Sequence, residues 1–228
     1  MTAPHLTIVV PAYNEERTMG QIMDRLHAAC PFAQSIFVDD GSTDRTLAII
    51  NEKKGPNDVV LTKENGGKGS AVRIGYGRAE GIFAIVQDAD LEYNPEEIPQ
   101  MLAMAEQGNL LAVFGSRRIR DQKQYAHVKF YLGGILLTKI FNFLFGTHLT
   151  DQPNCYKMVK TEILKTLPLT ENDFAFDAEL AAMLARRKIP IAEFPTSYHP
   201  RTVEEGKKIG LKDWFKAIWV FMRVRFSY

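Results

Sequence analysis

Two aspartates one residue apart, Asp88-Ala89-Asp90, close the apolar run Ile82-Phe83-Ala84-Ile85-Val86 and are followed by Leu91-Glu92. A short apolar run reads as a buried strand, which puts both carboxylates at its C-terminal end. That is where ligands bind in open α/β sheets. Carboxylates this close repel each other unless a cation lies between or beside them. Hard oxygen ligands suit Mg2+ or Mn2+ bridging to a substrate phosphate, so Asp90 and then Asp88 are the candidate metal ligands. A bare pair of this kind is often no more than two turn aspartates, so its weight rests on what surrounds it.

Two further strand ends carry similar clusters. Leu6-Thr7-Ile8-Val9-Val10 runs into Pro11-Ala12-Tyr13-Asn14-Glu15-Glu16, where the proline is expected to stop the strand and a helix to begin. Ser35-Ile36-Phe37-Val38 runs into Asp39-Asp40-Gly41-Ser42-Thr43-Asp44. Gly41 permits a tight turn, and Ser42 or Thr43 offers a cap for the next helix. In a parallel sheet these three ends meet along one edge.

Val9-Val10-Pro11-Ala12-Tyr13-Asn14-Glu15, Val38 to Asp44, Gly67-Lys68-Gly69-Ser70-Ala71 and Asp88-Ala89-Asp90-Leu91 together resemble the ordered signatures of family 2 inverting glycosyltransferases. Within that family the likeness is to dolichol-phosphate and polyprenyl-phosphate hexosyltransferases. It continues through Phe114-Gly115-Ser116-Arg117, Thr150-Asp151 and Tyr198-His199-Pro200-Arg201 to Glu205-Gly206-Lys207-Lys208. The resemblance implies a metal-dependent hexosyltransferase that takes a sugar from a UDP- or GDP-linked donor, with Mg2+ or Mn2+, to a polyprenyl phosphate. It implies an α/β domain of the GT-A type, with a mostly parallel central sheet and a helical, membrane-facing C-terminal part. Residues 1–115 form its nucleotide-sugar-binding half and residues 116–228 its acceptor-binding half. By the same likeness Pro11, Tyr13 and Glu15 line the base and ribose pocket, Asp40 helps bind the nucleoside, and Asp88 also contacts the donor's ribose or sugar.

Glycosyl transfer needs a stabilised diphosphate leaving group and a nucleophile on the opposite face of the sugar. Asp88 and Asp90, through a cation, address the first need. Arg201, Lys207 and Lys208 follow Tyr198 in a stretch with Pro200 and Gly206, and could close over the diphosphate as a lid. A sugar hydroxyl needs a general base, whereas a lipid phosphate is already anionic at neutral pH. Hydroxyl-using members commonly carry an adjacent Glu-Asp pair, and the corresponding stretch here is Phe176-Asp177-Ala178-Glu179. That departure favours a phosphate acceptor, with Arg117 as its anion anchor, since a guanidinium grips phosphate with two parallel bonds. Asp88, Asp90 and Arg117 are therefore the expected catalytic set. Asp151 either orients acceptor-site groups or caps a turn. Thr150-Asp151-Gln152-Pro153-Asn154-Cys155-Tyr156 lacks the Gly-Phe pair frequent in lipid-phosphate enzymes. A transferase acting on a sugar hydroxyl and a catalytically silent nucleotide-sugar-binding module are the alternatives. A dinucleotide-binding dehydrogenase is poorly supported, because no Gly-x-Gly-x-x-Gly follows the first strand.

Composition narrows the field. The chain has 228 residues, 46% hydrophobic and 24% charged, with a formal net charge of +1. No global field draws it to nucleic acid. Cys30 and Cys155 are the only cysteines, which suggests a reducing compartment and no disulfide framework. The five histidines are scattered without ligand spacing. Gly66-Gly67-Lys68-Gly69-Ser70 fails as a P-loop: Thr62 stands where its first glycine belongs, and Gly69 where Ser or Thr belongs. It reads instead as a helix start with its backbone near the nucleotide, or equally as a structural glycine turn.

Strand-like runs at 6–10, 35–39, 58–62, 82–87 and 110–115 alternate with helical patterns at 16–29, 44–53, 68–80 and 96–107, which predicts a parallel sheet covered on both faces. Further on, an apolar helical region covers 128–145, a helix 177–187, a strand pair 189–198 and a last helix about 213–224. No run reaches the roughly 18 uncharged apolar residues of a spanning helix. Phe130 to Phe145 comes nearest and is interrupted by Lys139 and Asn142. With Lys123, Lys129 and Lys139 about it, and with Trp214, Phe215, Trp219 and Phe221 beside Lys216, Arg223 and Arg225 in the last helix, a membrane-surface contact is expected, with a core helix at 130–145 as the alternative. The expected location is cytoplasmic, peripheral at the inner face of the membrane.

Overall fold

The computed structural model describes residues 4–119, 128–200 and 210–227, with side chains from residue 131 onward in the helix that opens the second stretch. Seven strands form one sheet: β1 (Leu6–Ala12), β2 (Gln34–Asp39), β3 (Asp58–Thr62), β4 (Phe83–Val86), β5 (Ala112–Ser116), β6 (Lys157–Lys160) and β7 (Ile191–Pro195), in the order 3-2-1-4-6-5-7. All are parallel except β6, which runs antiparallel between β4 and β5. The α/β architecture with a mostly parallel sheet is thus as expected, and the sheet draws strands from both halves of the chain.

The near-continuous apolar runs of β1, β2 and β4 follow from burial on both faces. Val9, Ile36, Val38 and Val86 point to one face, against α3 (Lys68–Arg78), α7 (Phe176–Arg186) and α8 (Leu211–Ser227). Ile8, Val10, Phe37 and Ile85 point to the other, against α1 (Met19–Ala29) and α4 (Ile98–Gln107). The remaining helices are α2 (Thr46–Lys53), α5 (Val128–Phe145) and α6 (Thr161–Thr166).

Three expectations are corrected. Pro11 does not end β1, which continues to Ala12 paired with β2. It ends only the pairing with β4: the last bond there runs from Gln87 N to Val9 O, and proline has no N–H for the next one. The expected strand pair at 189–198 is the single strand β7, and its neighbour β5 pairs on the other side with β6, which the sequence reading missed. Neither Ser42 nor Thr43 caps α2; Asp44 Oδ1 takes the Thr46 N–H at 2.9 Å instead.

Candidate active site

The C-terminal ends of β1, β2 and β4 open into a cavity of about 500 Å³. Each end is fixed by its own loop chemistry. After β1, Asn14 adopts φ 55° and its side chain accepts the Thr43 N–H, while its own N–H goes to Ser42 Oγ at 3.0 Å. Glu15 N–H is bound by Thr46 Oγ1 at 2.8 Å. The tips of β1 and β2 are therefore laced together, and Pro11, Tyr13 and Glu15 line the cavity.

Asp40 also lines it but is largely committed inward. Its two oxygens accept the Gly66 and Gly67 N–H groups at 3.0 and 2.7 Å, and Lys63 Nζ lies close to the first. Asp40 thus shapes the turn that starts α3. Gly67 in that turn has φ +93°.

After β4, Asp88 and Asp90 both face the cavity, with Glu92 on the same wall. Glu92 N–H folds back on Asp90 Oδ1 at 3.1 Å, and Leu91 between them has φ 62°. A left-handed leucine is unusual, and such backbone persists where the surroundings over-determine it, commonly at functional sites. Asp88 is paired with a residue that the sequence reading passed over. Lys68 Nζ sits 2.8 Å from Asp88 Oδ1 and 3.2 Å from Asp177 Oδ2. Burial opposes the charge of Lys68, but Asp177 and Asp88 outweigh it and hold the ammonium well above the usual lysine range. Asp177 in turn faces Lys157 Nζ at 3.8 Å. In the sequence Lys68 stood in the Gly67-to-Ala71 motif, directly after two glycines at a helix start, with no role assigned to its side chain. Asp177 showed only as half of a missing carboxylate pair.

The arginine and aspartate assigned to the acceptor meet on the far wall. Arg117 lines the cavity, whereas Asp151 is buried behind it. Arg117 Nε and Nη2 donate to Asp151 Oδ2 and Oδ1 at 2.7 and 2.9 Å, and the Arg117 N–H donates to Oδ2 at 3.0 Å. The guanidinium lies 4.9 Å from the Tyr198 ring centroid. Burial works against the ionised carboxyl of Asp151, yet Arg117 overcomes this and holds it below the usual carboxylate range. Asp151 thus orients Arg117. Arg201, Lys207 and Lys208 lie outside the described residues.

The cavity is also lined by Gly133, Gly134 and Leu137 of α5 and by Leu211, Asp213, Trp214 and Ala217 of α8. Its lining thus joins acidic and polar groups from the strand tips to a mostly apolar stretch from these two helices.

The Asp88–Asp90 pair suits a divalent cation. The donors are all hard oxygens, and Asp88 already has a cationic group against it. Among the described residues no three His, Cys, Asp or Glu side chains converge as a ready-made cage. Two carboxylates completed by substrate phosphates is the usual magnesium arrangement.

Residues 7–167 match the model of the family described as glycosyl transferase family 2. The chain belongs to that family. Among curated relatives of this family 2 chain, the low-salt glycan biosynthesis hexosyltransferase Agl6 of Haloferax volcanii is 28% identical over 89% of this chain and 49% of its own length. The undecaprenyl-phosphate 4-deoxy-4-formamido-L-arabinose transferase of Edwardsiella ictaluri is 29% identical over 90% of this chain and 63% of its own length. The chain spans about half the length of the curated relatives it matches. Among solved structures, glucosyl-3-phosphoglycerate synthase of Mycobacterium tuberculosis, crystallised with Mn2+, UDP-glucose and phosphoglyceric acid, superposes with a TM-score of 0.75 at 18% identity. It covers 97% of this chain and 80% of its own. That likeness is one of fold, the GT-A type expected of a family 2 chain.

Proposed function

We propose that this family 2 chain is an inverting, metal-dependent hexosyltransferase that moves a hexose from a nucleotide sugar to a polyprenyl phosphate. The observation that carries the reading is the mixed lining of one cavity: carboxylates at the strand tips, a mostly apolar stretch of α5 and α8, and the Arg117 guanidinium. A nucleotide sugar suits the first, a lipid tail the second, and an acceptor phosphate the guanidinium. Relatives named as undecaprenyl-phosphate transferases support the same acceptor class.

In this reading Pro11, Tyr13, Glu15 and Asp40 hold the nucleoside. Asp90 and Asp88 hold Mg2+ or Mn2+, which when bound neutralises charge developing on the leaving diphosphate. Arg117, braced by Asp151, positions the acceptor phosphate for attack from the face opposite the diphosphate. Residues 1–115 thus serve the donor and 116–228 the acceptor. Arg201 and Lys207 are assigned to the donor diphosphate. An ionised phosphate needs no base to deprotonate it, and Asp177, a further carboxylate on the wall, faces two lysines. The apolar stretch comes from two helices that also carry exposed apolar side chains, which supports a peripheral seat on the inner face of a membrane.

The test is a panel of UDP- and GDP-sugars with Mg2+ or Mn2+ against a short-chain polyprenyl phosphate and the matching polyprenol. Transfer to the phosphate alone is expected. Transfer to the alcohol, or to a sugar hydroxyl in preference to both, would replace the acceptor assignment.

A further inference from the structure

Lys68 is tied to two carboxylates at once. Its ammonium stands 2.8 Å from Asp88 Oδ1, 3.0 Å from Asp88 Oδ2 and 3.2 Å from Asp177 Oδ2, at the first residue of α3. Asp88 and Lys68 are both nearly enclosed, with side-chain exposures of 15% and 10%. The position of the ammonium is over-determined. The turn before it is tied to Asp40 through the Gly66 and Gly67 N–H groups, and Ser70 N–H, one turn on, is bound by Asn172 O at 3.1 Å.

Two consequences follow from electrostatics. First, a divalent cation reaching Asp88 in the free protein meets an ammonium already there, and like charges at this distance in a partly dry site repel strongly. Second, Lys68 can give up Asp88 without becoming an unpaired buried charge, because Asp177 remains beside it. A lysine with one partner could not, since breaking a buried pair leaves a charge uncompensated. An incoming diphosphate supplies the negative charge that lets both cations stay.

We propose that Lys68 is a placeholder cation: it occupies Asp88 in the free protein and moves its weight to Asp177 when a metal arrives with a nucleoside diphosphate. Metal capture at Asp88–Asp90 thereby depends on the nucleotide, and Lys68 is a positioning residue that sets this order. The inference rests on the assignment of Asp88 and Asp90 as the metal–diphosphate site. It adds that the free protein is built to hold metal poorly.

The experiment is Mn2+ binding to the full chain, read by the loss of the free-ion electron paramagnetic resonance signal, with and without UDP or GDP. The wild type is expected to bind Mn2+ much more tightly with one of the nucleotides. Lys68→Met should bind Mn2+ without nucleotide at least about tenfold more tightly than wild type, because a cation beside its ligand is gone. Its nucleotide dependence should shrink correspondingly. Lys68→Arg, which keeps the charge, should behave as wild type. Lys68→Gln can still donate to one carboxylate and serves in place of the Met variant if that chain does not fold. Neutral variants with wild-type nucleotide-free affinity would overturn the placeholder and leave the metal site standing. Absence of Mn2+ binding by the wild type with either nucleotide would remove the site and this inference with it.

Discussion

Asp151 grips Arg117 with both carboxylate oxygens and takes its backbone N–H as well, so one buried side chain sets both the direction of the guanidinium and the path of the chain leaving β5. The carboxylate is 1% exposed as a residue, and Thr150 and Asp151 are themselves tied by their N–H groups to Glu193. Arg117 is therefore presented to the cavity on a rigid support.

Asp151→Asn should cost about 1.5–3 kcal/mol of stability at neutral pH, because it removes charge-assisted hydrogen bonds to an arginine whose side chain is itself 21% exposed. Urea denaturation measures this. The sign with pH follows from the carboxyl's lowered folded pKa. The pair's contribution is complete above the unfolded aspartate value of about 3.9 and is lost as pH falls through the lower folded value. The wild type should thus lose stability more steeply than the variant below about pH 4. Parallel acid limbs for the two proteins would show that the pair does not carry this dependence.

Asp90→Ala should lower turnover by at least about 10²-fold, the scale of losing a group that stabilises transition-state charge. Chelation of divalent cations from the wild type should have a comparable effect, reversed by adding Mg2+ or Mn2+. Full turnover in either case would dismiss Asp90 as principal ligand.

Gly67 and Gly77 make a matched pair. Gly67 has φ +93° and ψ 161°, a conformation close to glycine-only, and a Cβ there would lie 2.5 Å from Asn172 O. Gly67→Ala should therefore cost about 1–3 kcal/mol or more, and should weaken donor binding because Gly67 lines the cavity. Gly77 lies within α3, and a Cβ there meets nothing within 4 Å. Gly77→Ala should raise stability by about 0.5–1 kcal/mol. Thermal melts of the two variants should move in opposite directions.

The sheet was legible where burial on both faces left uninterrupted apolar runs, as in β1, β2 and β4. It was not legible at β6, a stretch of four residues, Lys157-Met158-Val159-Lys160. Lys157 is 1% exposed, its ammonium directed at Asn154 O and the face of Phe114, so a charged residue hides a core position. In the cavity, Pro11, Tyr13, Glu15, Asp40, Asp88, Asp90 and Arg117 come from chain-local motifs, and the structure brings them to one place. Lys68 and Asp177 are 109 residues apart in sequence, and their pairing depends on α3 and α7 packing together. No local pattern encodes that. Two readings stayed open for Asp151 for a similar reason: sequence gives the residue type but not which way it faces.

The last helix carries two kinds of side chain on two faces. Leu211, Phe215, Trp219, Met222 and Phe226 recur at helical spacing and are all exposed, Phe226 at 70%. On α5, Leu132, Leu136 and Phe143 are exposed likewise. The two helices lie side by side, with Trp214 Nε1 donating to Gly133 O and Phe221 against Phe141 and Phe145. Of the described cations expected at the headgroups, Lys139 and Arg225 are exposed, and Lys216 and Arg223 are tied to carboxylates. Lys216 turns to Asp173 and Glu171, and Arg223 turns to Glu171 and Glu179. Arg225 bonds Leu144 O, and Lys123 and the Lys129 side chain lie outside the described residues. Among the described residues no helix is long and apolar enough to cross a membrane. Vesicle binding by this chain should be carried mainly by apolar contact, with modest dependence on anionic lipid and salt. Phe143→Glu with Phe215→Glu should weaken partition by about tenfold or more, since burying one such ring is worth about 1.5–3 kcal/mol. Their thermal melting should stay near wild type, because both rings are exposed. Flotation on neutral and anionic vesicles, with a melt of each protein alongside, decides it. Undiminished flotation of the double variant would assign these stripes to some other contact, and binding only to anionic vesicles would return the weight to the cations.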